Sequence, residues 1–107
     1  MGSKTSQLTS DEKILIYIIN YKYSIPKEDI CLPRVGETEH DIYISCHVGD
    51  KKQVFYQEDS STVIMLEDIL RSRKITHNPY PDIDDLITQY NYDVKVLDVL
   101  KNQGIFI

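Results

Sequence analysis

The sequence predicts an α+β fold: a small antiparallel sheet built on a central hairpin, with room for a third short strand, packed against about four helices from both ends of the chain. Two changes of period predict it. Apolar residues recur at spacings of three and four before residue 24 and after residue 62, but alternate every second position between residues 41 and 57. Turn chemistry in Gly49-Asp50-Lys51-Lys52 splits the alternating stretch into two strands. A lone hairpin is marginal in water, so the flanking helices must cover it.

Residues 1–8 are small and polar and read as a disordered leader, leaving 9–107 as one compact domain. Met1-Gly2-Ser3-Lys4-Thr5-Ser6 also satisfies the pattern for myristate on Gly2, although the same opening is common in recombinant chains. One acyl chain without a basic patch anchors only marginally. Order begins at Thr9-Ser10-Asp11-Glu12, a capping box in which the threonine oxygen accepts an amide three residues on and Glu12 reaches back. The helix it opens runs from about Asp11 to about Tyr23, and Ser24-Ile25-Pro26 ends it because proline biases its predecessor away from helical backbone.

Pro26 to Ile30 reads as a short helical turn that Pro33 stops, and Arg34 to His40 as loop. Ile42, Ile44, Cys46 and Val48 then point one way along a strand and Tyr43, Ser45 and His47 the other, with Gln53 to Gln57 as the returning strand. Several polar residues between Glu58 and Thr62 can cap a helix over about Val63 to Arg73, while Thr62 to Met65 is the place where a third strand would fit instead. Two prolines make Thr76 to Pro81 extended. Asp82 caps a helix with Ile83, Leu86, Ile87 and Tyr90 on one face, and Asp93 caps a last one over Val94 to Gln103, with Gly104 closing it before Ile105-Phe106-Ile107.

Composition narrows the function. A formal charge of -5 and scattered bases count against a nucleic-acid binder, since affinity for phosphate comes from clustered Lys and Arg. Cys31 and Cys46 form no CxxC pair and read as free, buried thiols of a cytoplasmic protein. No apolar run is long enough to span a membrane. Cys46-His47 cannot act as a nucleophile and its base, because neighbours on a strand face opposite ways. His40, His47 and His77 lack metal-ligand spacing, Asp82, Asp84 and Asp85 are explained by helix capping, and no glycine-rich phosphate loop can be written. The sequence therefore predicts neither an enzyme nor a cofactor or metal.

The first helix carries the remaining signal. Ile14, Leu15, Ile18 and Ile19 form its core stripe, which leaves Ile16 and Tyr17 on the opposite side with Asn20, implying either a partner surface or burial on two sides. Eight tyrosines against no tryptophan favour an interface, tyrosine being able to lie half in a core and half in a contact. Ile16, Tyr17, Asn20, Tyr21 and Tyr23 are thus the expected partner-binding residues of a small acidic module that occupies another protein, as inhibitors, immunity proteins and viral or phage accessory proteins do, or that self-associates. The alternative is a helix-turn-helix regulator that contacts nucleic acid through Lys95 and Lys101 of the C-terminal helix pair. An enzyme with a site assembled around Cys46, His47 or His77 is the third.

Overall fold

A computed structural model describes residues 8–88. Its elements are α1 (Ser10–Tyr23), a 3-10 turn (Lys27–Asp29), β1 (Ile30–Glu37), β2 (Ile42–Val48), β3 (Lys51–Gln57), α2 (Ser60–Leu70), a second 3-10 turn (Pro81–Ile83) and helical backbone over 84–88, here α3. The strands form an antiparallel meander in the order β1-β2-β3. The chain is α+β with three helices and three strands among the described residues, which corrects the expectation of about four helices around a hairpin. The expected fourth helix over Val94 to Gln103 lies outside the described residues, as do Tyr90, Lys95, Lys101, Gly104 and the amino-terminal Gly2.

The third strand is not where the sequence placed it. Thr62 to Met65 is helical, because Asp59 caps α2 and its carboxylate accepts from the Thr62 amide at 3.0 Å and the Thr62 hydroxyl at 2.7 Å. The strand instead comes from residues expected to be turn and loop. β1 pairs Cys31 with His47 and then Arg34 with Ser45, so one extra residue is spent on β1 and its side chains change phase at the bulge. Leu32 takes a left-handed φ of 51° there and Pro33 follows. The bulge hides the period of two that would otherwise mark a strand.

The capping box of α1 is present, with Glu12 N–H donating to Thr9 Oγ1 at 3.1 Å and Thr9 N–H donating to Glu12 Oε1 at 2.9 Å. At the other end Ser24 adopts φ 58° and donates its amide to Asn20 O, closing the helix before Pro26. Both α1 and α2 lie against β1, and α2 also against β2. Between them Ile14, Ile18, Ile19, Ile44, Met65 and Leu66 are fully buried. Each such side chain contributes about 1.5–3 kcal/mol of transfer free energy, so this single layer between helices and sheet holds most of the fold.

Candidate functional site

The five residues predicted for partner binding do not form one open patch. Ile16 is only 7% exposed, so of the two expected alternatives it follows burial on two sides rather than an open partner surface. The cause is burial of α1 on two sides: the sheet covers one, and Tyr80, Ile83 and Leu86 join the same apolar cluster from the other. Tyr80 sets its ring edge-on to Tyr17 and Tyr21 at centroid distances of 6.2 and 5.3 Å, while Tyr17 and Tyr21 stack on each other at 6.0 Å. Burial, with the Asp82 carboxylate nearby, raises the Tyr17 pKa. Asn20 is engaged locally, its Nδ2 donating to Ile25 O at 2.8 Å.

Tyr23 faces the sheet instead. Its ring stacks on Phe55 at 4.1 Å, and its hydroxyl accepts from Gln57 Nε2 at 2.7 Å. Tyr21 alone among the five is widely open, at 64%. Beside it runs a groove of about 460 Å3 whose lining includes Lys13, Ile16, Tyr17, Lys27 and Leu86. The first helix is thus mainly a core element, and most of the apolar excess read from its sequence is consumed internally.

A second surface, not anticipated, lies on the sheet face turned away from α1 and α2. The register sets Tyr43 opposite Tyr56 and Ser45 opposite Val54, all on this outer side because Ile42, Ile44 and Cys46 occupy the inner one. The Tyr43 and Tyr56 rings meet edge to face at 5.4 Å. Tyr43 also lies across Gly36 of β1, where an added Cβ would come within 2.4 Å of its ring. A side chain at position 36 would force the Tyr43 ring to move, so glycine there suits the ring rather than a backbone conformation. Tyr56 and Val54 stay 56% and 41% exposed, with no described element over them.

Charge distinguishes this face from the rest of the chain. Its outward positions on the three strands include His47 and Lys52 but no carboxylate, in a chain of net charge -5, while Arg34 turns its guanidinium to Glu12 of α1. The sequence held a signal for it. Counting outward from a two-residue Gly49-Asp50 turn places Tyr43 against Tyr56, and the sequence reading instead began the returning strand at Gln53, with Lys51 and Lys52 left in the turn.

Cys46 is buried as expected and burial raises its thiol pKa, but Cys31, expected to be buried, is exposed next to the bulge. His40 pairs with Glu39 at 3.2 Å on the surface. A cleft of about 340 Å3 between α1, β1 and α2 holds Asp11, whose Oδ1 has no partner and whose pKa burial raises, with the neighbouring Glu12 charge adding to the effect. Arg34 closes one side of this cleft through an ion pair to Glu12 at 3.1 Å. No group of three or more His, Cys, Asp or Glu among the described residues is arranged to hold a metal ion, and no described helix is long and apolar enough to cross a membrane.

Compared with known proteins, the chain matches no family model, no curated protein and no solved structure.

Proposed function

We propose that this chain is a small acidic protein-binding module that acts by occupying a partner protein, and that it does so through the outer face of its sheet. The observation that carries the reading is the exposure of Val54 and Tyr56 beside Tyr43 on a face that no described helix covers. Half-exposed aromatic residues on a rigid strand supply large contact area at low entropic cost, and such anchors dominate binding energy at interfaces. The sheet is pre-organised by the core on its other side, so little ordering is needed on binding.

The charge pattern selects the partner's chemistry. Lys52 on the face favours a partner presenting apolar side chains rimmed by carboxylates, while the acidic remainder of the surface disfavours nucleic acid. Inhibitors, immunity proteins and viral or phage accessory proteins act by this kind of occupation.

Site-specific photo-crosslinking in the native cells tests it. A photoreactive residue at position 54 or 56 is expected to give one discrete protein adduct, absent when the probe replaces Ile64, an exposed apolar residue of α2. Tyr56→Asp, with the probe at 54, is expected to lower adduct yield about tenfold or more. Equal adducts from position 64, or none from 54 and 56, would contradict the proposal.

A further inference from the structure

The face of β3 and its outward edge, which no described strand pairs, are separate features, and the edge carries an inference of its own. β2 and β3 are joined by two residues, Gly49 and Asp50, of which only Gly49 has positive φ, at 64°. Glycine at the first central position matches the type II′ hairpin turn, which closes on a hydrogen-bonded pair, here Val48 with Lys51. Parity follows from that pair. Lys51, Gln53, Phe55 and Gln57 turn their backbone N–H and C=O toward β2, and Lys52, Val54 and Tyr56 turn theirs outward. Among the described residues no strand pairs with that outward side.

Proteins normally blunt such an edge with bulges, prolines or charge. β3 has no bulge or proline through seven residues, and its charges are divided: Lys51 and Lys52 stand at one end, while Glu58 and Asp59 follow directly on the other. A strand polarised in this way complements itself when a second copy runs antiparallel. We infer that β3 pairs with β3 of a second copy about a two-fold axis at Val54, joining two three-stranded sheets into one of six strands.

The register is determined by the same features. Hydrogen bonding across the axis needs outward-facing residues opposite one another, which sets Val54 against its symmetry mate and Lys52 against Tyr56 of the second copy. All seven residues of each strand are then paired. Lys52 lies beside the Tyr56 ring of the other copy, and the acidic Glu58-Asp59 end of that copy follows directly after its strand, so cation–π and opposite-charge contacts both favour the register. Shifting the centre to Lys52 would place two lysines face to face, and parallel pairing would set each like charge against its own kind; both are disfavoured. The dimer makes the two outer faces continuous, so the Tyr43, Val54 and Tyr56 surfaces flank the axis.

Sedimentation equilibrium of the full chain from about 1 µM to 1 mM tests the edge without reference to any other protein. The expected result is reversible association to twice the 12.5 kDa chain mass. Lys52→Glu is expected to weaken it about tenfold or more, and adding Glu58→Lys to restore it. Val54→Pro, which removes an outward N–H and leaves the ladder to β2 intact, is expected to abolish it. If that variant fails to fold, the charge pair still decides the matter. A monomer at every concentration overturns the inference, as does a dimer indifferent to Lys52→Glu, which would use another surface. Crosslinks at 54 and 56 that join only copies of this chain, with dimerisation intact, would instead fail the face and spare the edge.

Discussion

The two edges of one sheet are built in opposite ways. β1 is interrupted by a bulge at Leu32, carries Pro33, lies against both helices, and is strapped to α1 by the Arg34–Glu12 ion pair. β3 is regular over its whole length and touches α1 mainly through the Phe55–Tyr23 stack and the hydrogen bonds of Gln57. The difference teaches that the fold spends its protective devices on one side. An edge that resists added strands and an edge that accepts them coexist because the same core stabilises both.

The largest effect is expected where the two edges share support. Ile44 is fully buried on β2 between Val35 of β1 and Phe55 of β3. Ile44→Ala should cost about 2–5 kcal/mol in urea unfolding, by lost transfer energy and the cavity left behind. Both edges should loosen together in hydrogen exchange. If only β3 loosens, the edges do not rest on a common core.

Thr62→Val probes the scaffold away from either edge. The buried Thr62 hydroxyl bonds Asp59 and the Tyr80 hydroxyl, at 2.7 and 2.9 Å. Valine keeps the shape but strands the Tyr80 oxygen, at a cost of about 1–3 kcal/mol. Thermal unfolding should register the loss, with no change in the association of β3.

How much of this was legible in the sequence follows from where local signals are strong. The capping box of α1, the alternation of β2 and the apolar spacing of α2 are set by short-range chemistry, and the elements they mark are present within a few residues. β1 was hidden because a bulge at the left-handed Leu32, followed by Pro33, and a glycine at 36 with no side chain to show its face erase the period that identifies a strand. The expected site suffered a different loss. Helical spacing correctly separated Ile16 from the Ile14–Ile18 stripe, but periodicity cannot say that Tyr80, Ile83 and Leu86, more than sixty residues away, would cover that side as well. The outer sheet face was half written in the alternation of Tyr43, Ser45 and His47. Only the strand register brings Val54 and Tyr56 beside them.

Smaller tests sharpen the contrast. Leu32 is 59% exposed with a left-handed backbone that costs an L-residue about 1–2 kcal/mol. Leu32→Gly should therefore stabilise the fold by about 0.5–1 kcal/mol in urea, part of the strain relief being offset by glycine's chain entropy. Retention of the bulge in the variant's amide pattern would show that Pro33, not Leu32, maintains it.

The smallest effects are electrostatic. The Thr9 amide holds the Glu12 carboxyl below 4.5, and the Thr62 hydroxyl and amide hold Asp59 below 3.8. Stability from both is present above those ordinary values and is lost as pH falls through the lowered ones. Asp11 has the opposite sign. Burial raises its pKa above 3.8, so its contribution to stability declines as pH rises from 3.8 to the raised value. Asp11→Asn should gain on the parent protein across that interval in a pH series of denaturation midpoints. A constant difference would show that the Asp11 pKa is not raised.

Residue-resolved amide exchange on β3, followed as protein concentration rises, tests the self-complementary edge most directly. At low concentration Gln53 and Phe55 should be protected by β2 while Lys52, Val54 and Tyr56 exchange freely. With increasing concentration those three amides should become protected together. If they exchange freely at every concentration, or are already protected in the monomer, the edge is not the open template described above.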